Sequence, residues 1–234
     1  PAVGDLAGQQ AAALAMYYEF PASPHAAAAA PVVAALRASA PAARVAELDS
    51  RELARADRLF DARRYAEARA AYLAARRVVS GADAVKAAVR AAVAVFPLDR
   101  HRAAAEALAP LRDTPPHAAE ARYFHLRALR AMGQRDAYVA AVRDLADRYP
   151  TSPWAAEALN HLASYFIVDN QDDLALEVFA RLLDQHPGHR HAERAAWKLG
   201  WARYRQGRFA EAAATFERGT ANAPRSDYRP AWLY

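Results

Sequence analysis

From Gly133 onward the apolar and polar positions of the chain repeat with a single period. Gly133, Asn170 and Gly207 are spaced 37 residues apart, and Pro150, Pro187 and Pro224 keep the same spacing. Left-handed backbone costs Gly nothing and Asn little, so each Gly or Asn marks the stop of a first helix and a reversal of the chain. Each Pro marks the end of a second helix. The segments between them, Gln134 to Tyr149, Gln171 to His186 and Arg208 to Ala223, are long enough for four helical turns. The spacing therefore predicts successive helical hairpins, an all-α chain of the α-solenoid class.

The last unit is the most regular. Trp197, Leu199, Gly200, Tyr204, Gly207, Phe209, Ala212, Phe216 and Pro224 resemble the tetratricopeptide pattern, and Leu159, Leu162, Ala163, Phe166, Asn170, Ala175, Phe179 and Pro187 precede them at matching offsets. Small residues at Ala163 and Gly200 let the helices of a hairpin touch. Phe179 and Phe216 are predicted to be buried plugs between hairpins. Upstream, Ser50 to Phe60 and Tyr65 to Val79 read as another pair, with Tyr65, Ala68 and Tyr72 echoing Phe209, Ala212 and Phe216 and with Asp49 and Glu52 as a capping pair. Ala82 to Phe96 and Arg100 to Leu111 form a looser pair.

At the N-terminus, Phe20-Pro21-Ala22-Ser23-Pro24 mirrors Tyr149-Pro150-Thr151-Ser152-Pro153, a helix end followed by a Ser cap and a Pro at the first helical position. Residues 5 to 19 then read as the second helix of a hairpin without its first, and Asp227 to Tyr234 as the start of a further helix, as if both ends were cut from a longer chain. The Ala/Pro-rich stretch from Ala22 to Ala43 reads either as a flexible linker or, favoured by propensity, as a helix over Ala26 to Leu36 with a first-turn break near Pro31. The division that follows is an Ala/Pro-rich helical segment over 1–45 and tetratricopeptide-like repeats over 46–234.

Composition supports helices. The 234 residues include 66 Ala and only eight Gly, and Ala both favours helix and allows close backbone approach. Cys is absent, which removes thiol catalysis, disulfides and Cys-based zinc sites. No apolar run approaches the roughly 20 residues of a membrane span. The net charge of +5 comes from 29 Arg and two Lys dispersed among acids, and no basic cluster with interleaved aromatics points to nucleic acid.

No phosphate-cradling loop, zinc-protease motif, nucleophile elbow or dinucleotide fingerprint occurs, so no cofactor is expected. The turn His186-Pro187-Gly188-His189-Arg190-His191 places three imidazoles within six residues. They are a weak metal candidate against a plain exposed turn, and Glu157 and His161 could join them only if their helix faced the turn. Trp197, Trp201, Tyr204 and Arg205 form a stripe along one helix, part of which belongs in the core. In the tetratricopeptide register the helix-one positions Glu120, Tyr123, Arg127, Arg130, Glu157, Asn160, Ser164, Arg194, Trp197, Trp201 and Arg205 line a groove. Aromatics beside Arg there suit carbohydrate faces or peptide carboxylates.

Two stretches carry a further resemblance. Arg148-Tyr149-Pro150-Thr151-Ser152-Pro153-Trp154-Ala155 and Ala192-Glu193-Arg194-Ala195-Ala196-Trp197-Lys198-Leu199-Gly200-Trp201, with Leu59 to Ala68 upstream, are similar to the helical repeat region of bacterial soluble lytic murein transglycosylases. The resemblance implies a periplasmic parent that cleaves peptidoglycan glycan strands through a Glu-Ser motif in a C-terminal catalytic domain. This chain contains no Glu-Ser dipeptide, so no catalytic residue carries over. The implied role is a non-catalytic scaffold holding peptidoglycan, or a catalytic domain of the same parent chain, or a protein partner. The alternative is a stand-alone adaptor that grips a partner protein in the cell envelope.

Overall fold

The computed structural model describes residues 5–222 and is all-α, with no strand among those residues. The chain divides into two compact units at the Met132–Gly133 junction. The first holds α1 (Leu6–Tyr18), α2 (Ala26–Ser39), α3 (Ala42–Asp61), α4 (Tyr65–Ala75), α5 (Gly81–Val93), α6 (His101–Leu108) and α7 (Ala118–Ala131). The second holds α8 (Arg135–Arg148), α9 (Pro153–Val168), α10 (Asp172–Gln185), α11 (Ala192–Arg205) and α12 (Phe209–Asn222).

The second unit follows the 37-residue period closely. Gly133, Asn170 and Gly207 all have positive φ, at 72°, 56° and 76°, so the reversals fall where the punctuation places them. The three second helices, α8, α10 and α12, start and stop within two residues of the predicted segments. Ser152 caps α9 by accepting from the Trp154 N–H at 3.2 Å, with Pro153 at the first helical position. Successive helices α8 to α12 each pack on the next, as in an α-solenoid. Ala163 is fully buried, and a methyl group on Gly200 would overlap the Phe216 ring, so both small residues permit close approach.

Phe179 is buried at 1% exposure, with Leu182 and Leu183 beside it on α10. Phe216 is only half-buried, contrary to expectation. Phe179 lies on a helix that packs on both α9 and α11, whereas the main packing partner of α12 among the described residues is α11, with Arg218 reaching α10. Pro224 and Asp227 to Tyr234 lie outside the described residues.

An ion pair repeats with the same period. Arg181 on α10 donates to Asp147 on α8 at 2.6 Å, and 37 residues later Arg218 on α12 donates to Asp184 on α10 at 2.9 Å. The second helices of successive hairpins are thus linked through equivalent charges.

The first unit departs from prediction in four places. Helix α3 begins at Ala42, not Ser50, so position 45 lies inside a continuous helix. Asp49 and Glu52 therefore cap nothing. They face α2 instead: Arg37 ion-pairs with Asp49 and, at 3.0 Å, with Glu52. The Tyr18 hydroxyl also donates to Glu52 at 3.0 Å, above an apolar cluster of Tyr18, Val33 and Leu48. That apolar face begins upstream of the acidic pair, and its burial extends the helix past the expected start. Helix α2 runs unbroken through Pro31, its sixth residue, which forgoes the bond to the Ala27 carbonyl. It begins at Ala26, as the helix reading of Ala26 to Leu36 has it, and Pro24 is not its first residue; Ser23 accepts from the His25 N–H at 3.3 Å in the turn before it. Helix α1 packs on α2.

The remaining pairs of the first unit are close to prediction. Helix α5 stops before a short 3-10 turn at Phe96–Leu98, and a second such turn at Ala109–Leu111 ends α6. Most of the buried residues of α5 and α6 are Ala. Such helices approach closely but bury little area per residue.

Candidate functional site

Helix α9 and the α10–α11 turn bring the polar candidates of the second unit together. Glu157 points from α9 at the turn. Its Oε1 accepts from Arg190 Nε at 3.0 Å and Nη2 at 2.6 Å, and its Oε2 lies 3.0 Å from His191 Nε2. His189 Nε2 stands 3.7 Å from Oε1. One ligand atom from each of Glu157, His189 and His191 falls within 4.8 Å of the others. The turn is held by backbone bonds from His189 N–H to the His186 carbonyl at 3.0 Å and from Ala192 N–H to the His189 carbonyl at 2.8 Å.

The electrostatics of this cluster favour a charged carboxylate and a neutral His189. Burial pushes the Glu157 carboxyl up, but hydrogen bonds from His191 and Arg190 and their charges hold it below the ordinary carboxylate range. Burial lowers the His189 imidazole, against the pull of Glu157, and burial with neighbouring His189 and Arg181 lowers His186. His186 is 8% exposed and its Nε2 has no hydrogen-bond partner. It does not join the Glu157 cluster, which takes two of the three predicted imidazoles.

One turn further along, Arg194 reaches from α11 to α9. Its Nη1 donates to Asn160 Oδ1 at 2.9 Å and to Ser164 Oγ at 2.7 Å, and its guanidinium lies 5.4 Å from the Phe179 ring centre. Asn160 is buried at 6% exposure. Asn160, Ser164 and Arg194, predicted as groove residues, thus join two helices to each other.

In the first unit the predicted residues are similarly engaged. Glu120 is buried and faces Arg90 and His117, each at 3.1 Å. Tyr123 is buried at 4% exposure, stacked edge-on with Phe124. Arg127 is exposed with its guanidinium near the Phe96, Tyr123 and Phe124 rings, and Arg130 is exposed.

The aromatic stripe divides. Trp197 is half-buried, 5.9 Å from Phe216. Trp201 stacks on Trp197 at 5.9 Å and on Tyr204 at 5.5 Å, with 12° between planes in both cases, and Phe209 meets Tyr204 edge-on at 5.3 Å. Trp201, Tyr204 and Phe209 are 46%, 51% and 61% exposed, and Arg205 beside them is exposed. Phe209 was read only as a repeat position, and Arg190 not at all. Adjacency of Arg190 to two His was the one available signal.

A family model described as tetratricopeptide repeat matches residues 194–226, which include most of the α11–α12 hairpin. No curated protein matches the sequence. Among solved structures, the chain is similar to MamA, with TM-score 0.51 and 18% identity over 73% of this chain and 95% of that one. It is also similar to the TPR-like repeats of a Podosopora anserina putative kinesin light chain, with TM-score 0.52 and 16% identity over 76% and 95%. A third is the Rap conjugation gene regulator of plasmid pLS20 in complex with the Phr* peptide, with TM-score 0.50 and 19% identity over 74% of this chain and 53% of that one. At such identities the likeness is one of fold: helical hairpins of the tetratricopeptide type. It does not bear on a transglycosylase parent.

No helix among the described residues is long and apolar enough to cross a membrane.

Proposed function

We propose that this chain is a non-catalytic interaction scaffold whose aromatic ladder, on α11 and the start of α12, takes a segment of a protein partner. The observation that carries the reading is the run of three adjoining rings, Trp201 stacked on Tyr204 and Phe209 edge-on to it, each about half or more exposed. Contiguous exposed aromatic surface is costly in water and marks contact sites, and rigid rings lose little entropy when covered. Arg205 beside the ladder suits a carboxylate in the bound segment. That one fold neighbour, the Rap regulator, is in complex with a peptide supports the reading.

The finer reading is that the scaffold belongs to a periplasmic peptidoglycan lytic transglycosylase and holds glycan strands or its own catalytic domain. It rests on the sequence resemblance over Arg148 to Ala155 and Ala192 to Trp201, supported by the exposed Arg127 and Arg130. One experiment addresses both. Peptides selected from a displayed library on the wild-type chain should bind W201A/Y204A at least about 30-fold more weakly. Equal binding, with both proteins folded by circular dichroism, sinks the ladder reading. In a parallel arm, co-sedimentation with purified sacculi that weakens with salt and with R127E/R130E supports the peptidoglycan reading, and absence of sedimentation at low salt refutes it.

A further inference from the structure

We propose that Glu157, His189 and His191 form a divalent transition-metal site, with Zn2+ the ion that fits, joining α9 to the α10–α11 turn. The inference is independent of the partner reading above. Two imidazoles and a carboxylate are a donor set suited to zinc, nickel, cobalt or copper rather than to magnesium or calcium. Around a tetrahedral zinc, ligand atoms about 2.0 to 2.2 Å from the ion stand roughly 3.3 to 3.6 Å apart. The Glu157 Oε2 to His191 Nε2 distance of 3.0 Å and the Oε1 to His189 Nε2 distance of 3.7 Å lie on either side of that range. With one ligand atom from each residue already within 4.8 Å of the others, closure on an ion needs side-chain shifts on the order of 1 Å.

The ligands come from two elements. Glu157 stands in the fifth position of the sixteen-residue helix α9, and both His sit in a turn shaped by its own backbone bonds. Their side chains are 15%, 19% and 22% exposed. That leaves one side of the site open to a water or an outside ligand, as expected for a site with three protein ligands. A neutral imidazole and an ionised carboxylate are the forms that bind metal.

Two features of the cluster oppose the ion and set its affinity. Arg190 holds Oε1, but its side chain is 72% exposed and free to swing into water. The His191 N–H contacts His189 Nδ1 at 3.4 Å; coordination through Nε2 places the proton on Nδ1 and releases that long contact. The site is thus a carboxylate clamp shared by a guanidinium and a metal. Losing the guanidinium must strengthen the metal.

The test uses the full chain without a polyhistidine tag. Calorimetric titration with Zn2+, and Co2+ absorption as a report on coordination geometry, should give saturable one-to-one binding. E157Q and the H189A/H191A variant should weaken it at least about 100-fold. R190A should tighten it about tenfold, because a nearby positive charge is removed. H25A/H101A should leave it unchanged. Zn2+ should raise the thermal midpoint of the wild type and not of E157Q. If the histidine variant unfolds, E157Q and R190A still decide the question. Absence of saturable binding in both wild type and R190A overturns the proposal, as does E157Q binding equal to wild type or R190A binding no tighter.

Discussion

The two units hold their helices together by different means. In the second unit the polar links recur at nearly constant separation: Arg135 to Asp169, Arg181 to Asp147, Arg194 to Asn160 and Arg218 to Asp184 each span 34 residues. In the first unit the links keep no common separation, and in one cluster Arg37 is shared by Tyr18, Asp49 and Glu52 across three helices. Regular stacking spreads small contributions, most of them exposed, over every hairpin. Irregular stacking depends on a few enclosed groups. Exposed pairs contribute at most about 1 kcal/mol each, whereas stranding a buried carboxylate costs several times that.

The sharpest way to break the comparison is through the plugs. Phe179→Ala should lower the stability of the second unit by about 3 to 5 kcal/mol, and Phe216→Ala by about half as much because its ring is only half-buried. Urea unfolding followed by far-ultraviolet circular dichroism measures both; equal losses would mean that the two plugs are equivalent after all.

The next effect contrasts the polar links. Arg37→Ala leaves Glu52, whose side chain is 10% exposed, with only the Tyr18 hydroxyl, and should cost about 2 to 4 kcal/mol. Burial and the Glu52 charge already push the Tyr18 phenol up to about 12, so Tyr18 donates its proton without taking over the charge. Arg181→Ala breaks a pair whose Asp147 side chain is 68% exposed and should cost less than about 1 kcal/mol. Thermal melts of the two variants side by side separate the cases, and a loss at Arg181 matching that at Arg37 would erase the distinction.

The smallest effect sharpens the comparison at the turns. Arg63 has φ of 60° and stands at the place in the α3–α4 reversal that Gly207 fills between α11 and α12. Arg63→Gly should stabilise the first unit by about 0.5 to 1 kcal/mol, and Gly207→Ala should destabilise the second by about 1 kcal/mol. A stability change of the same sign in both variants contradicts the assignment.

Legibility in the sequence tracks how local the determining physics is. The reversals at Gly133, Asn170 and Gly207 were readable because few residues accept left-handed backbone. Arg63 makes the same reversal and was invisible for that reason. The start of α3 was misplaced because Asp49 and Glu52 match a capping pair in spacing, and only Arg37 on another helix reveals their partner. Of the predicted groove, Trp201 and Arg205 are exposed, while Tyr123 and Asn160 are buried and Arg194 is tied to α9. The helical register alone could not say which polar groups neighbouring helices would claim.

The sequence by itself determined that the chain is helical, that its second half turns every 37 residues, and where Gly200 must be small, since propensity, turn conformation and residue volume act within a few residues of chain. Only the tertiary structure decided that Glu157 meets His189, Arg190 and His191 and that the α11 rings divide between interior and water. Those outcomes depend on how one helix is rotated and shifted against the next, and that placement is set by the packing of side chains far apart in the chain.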